Sequence, residues 1–458
     1  DLFDRLGVGP GSRVMVLAEN CNAAVASVFA ASRRHASVIP INARQTSSEV
    51  ERIVGHADPE LILFTSEVSA EARAHAERLS ARQVSGAFGT LHLLDRSADP
   101  DVESDVAVQL YTTGTTGTPK GVMLTHTNVR FGGKTSAHLR GMQQSDIIYG
   151  VLPMTHVFGL CSIVIAATLI GAPVRLEARF DVAKLYKALG EGVTLLSAVP
   201  QMHALLMQYT KEQGYERLEN SALRYVSSGA APLDPAWKRK AEAFYGVAIQ
   251  NGYGLTETTA GVAATSNTIG DPDISVGPAM DGVELRIDES APGGGVGTGE
   301  VLARGPNIMK GYFRNPEETA KVLQPDGWLR TGDLGRIDEK GHLHILGRSK
   351  ELIIHGGFNV YPPEVEAALN DHPQVIQAAV IGHMVDGDEK VLAFCQVAEG
   401  DEPTVDDLRA FAASRLAGYK RPSRIILATA LPAAPTGKIL KHKLAAHFAE
   451  ELKVPLSK

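Results

Sequence analysis

At 458 residues the chain is long enough for two or more domains with sizeable cores. Its net charge of −7 argues against a general nucleic-acid binder, and any anionic ligand needs positive charge concentrated locally. Hydrophobic residues make up 44% and charged residues 21%, an ordinary balance for a globular protein, and Cys21, Cys161 and Cys395 lie far apart in no metal spacing, as in a reducing, cytoplasmic compartment.

Strand-like and helix-like segments alternate through the first half. Arg13–Ala18 reads as a strand, Ala23–Arg34 as a helix and Ser37–Ile41 as a strand, with Ser48–His56 helical and Leu61–Thr65 extended. Thr194–Val199, Gln201–Lys211, Leu223–Ser228 and Pro235–Tyr245 continue the alternation. That rhythm predicts an α/β fold of parallel sheets covered by helices. The uncharged run from Val157 to Val174 is long enough to raise the question of a membrane span. Its Gly159, Ser162, Thr168, Gly171 and Pro173 favour a buried helix followed by a strand, with no transmembrane span. After about Ser275 short β-rich pieces joined by glycine turns predict a small barrel or sheet. Ala291–Glu300 has the glycines of a nucleotide loop, but no helix follows, so it reads as a hairpin connection. From Ser349 onward a compact α+β segment of ~100 residues has the size of a domain. This gives a division into 1–348 and 349–458, with a short charged joint at Arg348–Lys350.

The densest chemistry lies between Tyr111 and His126, YTTGTTGTPKGVMLTH. Thr112, Thr113, Thr115, Thr116 and Thr118 alternate with Gly114 and Gly117 ahead of Lys120. Apolar residues of strand type precede the loop (Val106, Val108, Leu110) and follow it (Val122, Leu124). Glycines let backbone N–H groups approach a phosphate, while the hydroxyls and Lys120 add donors and a positive charge. The alternative is a flexible surface turn. A Walker A loop is excluded, because Pro119 precedes Lys120 and Gly121 follows it.

This loop resembles the phosphate-binding motif of the adenylate-forming superfamily: acyl-CoA synthetases, peptide-synthetase adenylation domains and luciferases. Further motifs follow in the family's order, and the resemblance covers the whole chain. It implies a large N-terminal domain with two doubly wound sheets plus a small β-barrel, and a small mobile α+β C-terminal domain. In the family the opening helix–turn–strand, DLFDRLGVGPGSRVMVLAEN, follows a further N-terminal segment, so the resemblance implies a missing one.

VSSGAAPL (Val226–Leu233) follows a strand and precedes a helix, either as a tight turn or, by resemblance, as the adenine wall formed by Gly229, Ala230 and Ala231. NGYGLTETTAG (Asn251–Gly261) offers a ring, a hydroxyl and a carboxylate within a few residues. A helix-capping Thr-Glu pair is the alternative; the resemblance assigns Tyr253 to adenine stacking, Thr256 to the α-phosphate and Glu257 to Mg²⁺. A single carboxylate suits Mg²⁺ when phosphates supply other oxygens. Asp333, between Gly332 and Leu334 in GWLRTGDLGRID, is a turn aspartate or, by resemblance, the ribose ligand assisted by Arg348. The family's hinge falls on Lys350, and Gly356 and Gly357 fall on the loop that lines the pantetheine tunnel for CoA. In PTGKIL, Lys438 is either a solvated turn residue or, by resemblance, the adenylation lysine. A cation there offsets the repulsion between a carboxylate and the α-phosphate. His156, beside apolar residues, reads as a core histidine or, by resemblance, as the gate of the acid pocket. It stays among the catalytic candidates without the role of base. His342 and His344 alternate on a predicted strand and read as structural.

The resemblance puts the acid pocket on His156–Ser162, Ala198–His203, Ser227–Ala231 and Asn251–Val262. These segments are mostly small and apolar and contain no Arg or Lys. A second carboxylate would be buried without a partner, which disfavours malonate-like diacids. No Asp follows His156 to meet an amino acid's ammonium, which disfavours a peptide-synthetase module. The implied activity is ATP- and Mg²⁺-dependent ligation of an apolar monocarboxylate, fatty or aryl, to CoA. Loading a separate acyl carrier protein, luciferase-like oxidation and a non-catalytic nucleotide sensor are the alternatives. The presence of both Glu257 and Lys438 speaks against the last.

Overall fold

The computed structural model describes residues 2–97, 105–113, 119–229, 233–385, 388–433 and 439–453. A large N-terminal domain carries two sheets and a smaller C-terminal domain is α+β. The first sheet has eight strands, in the order Gly311–Tyr312, Pro119–Thr125, Val106–Thr113, Ser37–Asn42, Arg13–Ala18, Leu61–Phe64, Gly89–Asp95 and Arg82–Gly86. Its central strands run parallel, and Val14–Leu17, walled on both faces, are buried with almost no exposure. Helix Ser47–Ala57 starts on a capping box between Thr46 and Glu49.

The expectation of parallel pairing fails at both edges of this sheet. Val106–Thr113 and Pro119–Thr125 are antiparallel, as are Gly89–Asp95 and its two neighbours. For Val106–Thr113 with Pro119–Thr125, and for Arg82–Gly86 with Gly89–Asp95, the reason is connection length: a short loop can join only antiparallel strands, whereas a parallel return needs a long crossover. Gly89–Asp95 then docks between Leu61–Phe64 and Arg82–Gly86, so it is antiparallel to Leu61–Phe64 too.

The second sheet has the order Ile249–Gln250, Tyr225–Ser228, Leu195–Ala198, Ile148–Gly150 and Val174–Leu176, with every recorded pair parallel. The apolar run forms a helix from Val157 to Ile170, with a π-helical stretch at Leu160–Ile165 whose residues are all buried. The strand Val174–Leu176 follows. Among the described residues no helix is long and apolar enough to cross a membrane.

Glu284–Asp288, Gly299–Arg304, Leu329–Ile337 and Leu343–Arg348 form an antiparallel sheet, and the glycine-rich run at 291–300 joins its first two strands as a hairpin connection. Among the described residues this is an open sheet, not a closed barrel. In the C-terminal domain Val375–Val385, Asp388–Val397 and Arg424–Ala428 form a sheet backed by helices Pro362–Asn370 and Val405–Ala413.

Candidate active site

Strands Val106–Thr113 and Pro119–Thr125 pair antiparallel on either side of the threonine-glycine loop. The register pairs Thr112 with Lys120 and Thr113 with Pro119, so the ladder runs up to the loop on both sides. Gly114, Thr115, Thr116 and the side chain of Thr113 lie outside the described residues. Within the strand pair, Tyr111 packs on Gly121, where a Cβ would stand 3.0 Å from the ring. Its hydroxyl lies 2.9 Å from His56 Nδ1. Burial, then the charge of Arg314, lowers the His56 pKa.

Lys120 is already engaged. Its Nζ lies 2.5 Å from Glu318 Oε2 and 5.0 Å from the centroid of the Tyr312 ring. Hydrogen bonds from Lys120 and then Lys321 bring the Glu318 carboxyl down to about 2.

Glu257 sits in a 3₁₀ turn, Thr256–Thr258, followed by Thr259 and Ala260 at φ 49° and 90°. These two non-glycine residues at positive φ mark a strained turn. A Cβ on Gly254 would stand 1.9 Å from the Ala260 carbonyl oxygen, so only glycine closes the loop. The Tyr312 hydroxyl donates to Glu257 Oε1 at 2.9 Å. One carboxylate with the adjacent Thr256 hydroxyl is a donor set that suits Mg²⁺, a hard cation that takes most of its oxygens from water and phosphate.

Tyr253 and Asp333, distant in sequence, meet. The tyrosine hydroxyl donates to Asp333 Oδ2 at 2.5 Å, and Arg348 Nε lies 3.5 Å from Asp333 Oδ1. Asp333 is not in a turn: it lies inside strand Leu329–Ile337, directly opposite Arg348. Its side chain is 7% exposed against 48% for Arg348. Burial, then the Asp333 charge, pushes the Tyr253 phenol well above its ordinary value. A buried carboxylate facing a ring hydroxyl and a guanidinium can accept from vicinal hydroxyls such as those of a ribose.

Gly229 follows strand Tyr225–Ser228, and a Cβ there would stand 2.7 Å from the Phe158 ring. Ala230 and Ala231 lie outside the described residues. Two positions before Gly229, Ser227 is held from behind: its hydroxyl donates to Ser197 Oγ at 2.8 Å and its carbonyl meets His203 Nε2 at 3.3 Å. His156 is exposed and caps the turn Val157–Gly159, its Nδ1 accepting from the Phe158 N–H at 3.2 Å. The core-histidine reading therefore belongs to His203, not His156.

Lys350 sits exposed in a single 3₁₀ turn, Ser349–Glu351, between Leu343–Arg348 and Ile353–His355. Gly356 and Gly357, at φ 58° and 81°, form the two-residue turn of hairpin Ile353–Val360. Both positive φ values demand glycine for the turn itself, and nothing lies within 4 Å of a Cβ at either. Lys438 lies outside the described residues. On either side of it, Ala433 and Ile439 form a β-bridge, and Lys441 Nζ contacts Glu351 Oε2 at 3.1 Å and Glu366 Oε1 at 2.7 Å. His342 and His344 pair with Asp273 and Asp338 at 3.1 and 2.8 Å, a structural role.

The family model of AMP-binding enzymes matches residues 2–313, and that of their C-terminal domain residues 364–438. The chain belongs to the AMP-binding enzyme family. It falls in the acyl-CoA synthetase branch and is an ATP-dependent acid–thiol ligase using Mg²⁺, with CoA as co-substrate. The 4-coumarate–CoA ligase 5 of Oryza sativa subsp. japonica is 34% identical over 476 residues, covering 97% of this chain and 86% of that protein. The crystal structure of ATP-bound MatB from Rhodopseudomonas palustris superposes with a TM-score of 0.83 at 30% identity, covering 99% of this chain and 92% of that one. The O-succinylbenzoate coenzyme A synthetase of Bacillus subtilis, in complex with ATP and magnesium ion, gives a TM-score of 0.79 at 27% identity, covering 96% and 91%.

The sequence motifs missed Tyr312 and Glu318. Neither carries a local signal: Tyr312 comes to Glu257 because Gly311–Tyr312 adds to the edge of the first sheet, and Glu318 comes to Lys120 because helix Pro316–Val322 follows that strand.

Proposed function

We propose that this AMP-binding enzyme activates an apolar monocarboxylic acid, fatty or aryl. In the first step a carboxylate oxygen of the acid bonds to the α-phosphorus of ATP and pyrophosphate leaves. In the second the CoA thiol sulfur, losing its proton, bonds to the acyl carbon and AMP leaves. The loop Thr112–Thr116, with Lys120, takes the phosphates. Gly229, Ala230, Ala231 and Tyr253 take the adenine, Asp333 and Arg348 the ribose, and Thr256 the α-phosphate. Glu257 holds Mg²⁺, which when bound neutralises phosphate charge. Lys438 compensates charge during adenylation, and His156 stands at the mouth of the acid pocket. The domains divide at 348/349, and the C-terminal one turns about Lys350 to bring Gly356 and Gly357 to CoA. The compartment we assign is the cytoplasm.

The observation that carries the choice of acid is the lining at Gly229 and Gly261. Phe158 fills the space beside Gly229, and a Cβ on Gly261 would stand 2.4 Å from the Met280 methyl carbon. Neither contact supplies a cation, and the four pocket segments contain no Arg or Lys. Two carboxylates, as in o-succinylbenzoate, would leave one charge unpaired, whereas a 4-coumarate-like monoacid would not. The test is pyrophosphate release over octanoate, a cinnamate, malonate and phenylalanine, with and without CoA. Octanoate or the cinnamate should give the highest kcat/KM, and malonate or phenylalanine winning would overturn the pocket reading.

A further inference from the structure

One ring touches both charged elements of the nucleotide site. The Tyr312 hydroxyl donates to Glu257 Oε1 at 2.9 Å, and Lys120 Nζ stands 5.0 Å from the centroid of the same ring. Tyr312 is 6% exposed. Its strand pairs with Pro119–Thr125, placing it opposite Val122, two residues beyond Lys120. Its backbone N–H donates to Thr319 Oγ1 at 2.9 Å, and the Met309 N–H donates to the Glu257 carbonyl at 2.9 Å. The ring is therefore held from its own backbone, and the Glu257 turn is tied to the segment that leads into it.

We propose that Tyr312 is a positioning residue that sets the Glu257 carboxylate and the Lys120 ammonium relative to each other. A carboxylate on a short turn has free rotation about its side-chain bonds, and a hydrogen bond to one oxygen removes most of it. The ring face meanwhile gives the ammonium a fixed attractive surface beside the hairpin. The metal carboxylate and the phosphate cation are thus positioned by one side chain. The proposal rests on the reading of Glu257 as the Mg²⁺ carboxylate.

Two readouts test it. The first is Mn²⁺ binding to the protein with ATP and no acid, followed by the electron paramagnetic resonance signal of free Mn²⁺. The second is the Mg²⁺ dependence of acid-dependent pyrophosphate formation. Tyr312→Phe keeps the ring and loses only the hydroxyl. It should weaken Mn²⁺ binding about tenfold and raise the half-saturating Mg²⁺ to match, with the KM for the acid unchanged. Tyr312→Leu should in addition raise the KM for ATP, because Lys120 loses its ring. Glu257→Gln separates the two levels of the argument. If it leaves Mn²⁺ binding intact, the metal reading falls, and this proposal with it. If Glu257→Gln weakens Mn²⁺ binding and Tyr312→Phe does not, the positioning role alone is overturned. Should Tyr312→Phe fail to melt cooperatively, Thr319→Val, which loosens the ring's backbone, decides by the same readouts: a smaller loss of Mn²⁺ binding supports the proposal, and none overturns it.

Discussion

The wall behind Gly229 should fail in acid because of one buried histidine. His203 has no exposed surface. Its Nε2 faces the Ser227 carbonyl at 3.3 Å and must carry a hydrogen, so Nδ1 accepts from the Tyr245 hydroxyl at 2.7 Å. Burial brings the ring down from 6.5 to about 4. Between those values the unfolded chain binds a proton that the folded chain does not. Stability from this group is therefore complete above pH 6.5 and is lost as pH falls toward 4. Moving from pH 7.5 to 4.5 should cost roughly 2–3 kcal/mol through His203 alone. His203→Gln, which does not titrate there, should be less stable at pH 7.5 because it loses ring packing against Trp237 and Tyr245. The gap between variant and wild type should then shrink by the same roughly 2–3 kcal/mol at pH 4.5. Urea midpoints and slopes for both proteins at the two pH values measure this. Parallel loss in the two proteins would refute the assignment of a neutral, titrating His203 behind the wall.

Asp333→Asn keeps the shape but turns charge-assisted contacts to Tyr253 and Arg348 into neutral ones. Initial rates should show the KM for ATP rising about tenfold with kcat changed less, and an unchanged KM would remove Asp333 from the nucleotide site. Glu318→Gln frees Lys120 from a competing anion, so the KM for ATP should fall severalfold at low salt and less at high salt, since Glu318 faces solvent. A KM that rises instead would mean that Glu318 orders Lys120 rather than competing for it. Lys350→Pro locks φ near −65° and deletes an N–H at the joint. Acid-dependent pyrophosphate exchange into ATP should survive while thioester formation falls much further, and equal losses in a cooperatively melting variant would rule out a hinge there.

What could be read from the chain was local chemistry. The loop at 111–126 announces itself through glycines and hydroxyls within a few residues, and the structure finds it flanked by two strands in tight register. The alternation from Arg13 to Tyr245 is equally local, and its strands and helices fall within a few residues of their expected bounds. Pairing is a different matter, because it is set by which edges meet. Nothing around Gly332 says whether Asp333 sits in a turn or a strand; that is decided by the ladder with Leu343–Arg348. The antiparallel edges of the first sheet escaped for the same reason. So did Tyr312, a tyrosine in a Gly-Tyr-Phe run until its strand docks beside Pro119–Thr125. The open sheet at 284–348 shows the limit of composition, since short β pieces with glycine turns describe a barrel and a sheet equally well.

The charged groups of the proposed nucleotide site already have partners within the protein. Lys120 is matched by Glu318, Asp333 by Arg348 and the Tyr253 hydroxyl, and Glu257 by the Tyr312 hydroxyl. For Asp333, nearly buried, the internal partners are obligatory, because an unpaired charge out of water would be costly. On the proposed reading, binding ATP is an exchange of partners, and only the difference between two sets of contacts should appear as affinity. The two kinds of partner behave differently under exchange. Glu318 carries full opposite charge to Lys120 and would compete there with phosphate, so deleting it should favour the nucleotide. Tyr312 is neutral and offers Glu257 a donor that a proposed Mg²⁺ there could coexist with, so deleting it should disfavour the metal. Opposite signs at two residues that meet the same lysine are the consequence that a generic loss of packing could not produce.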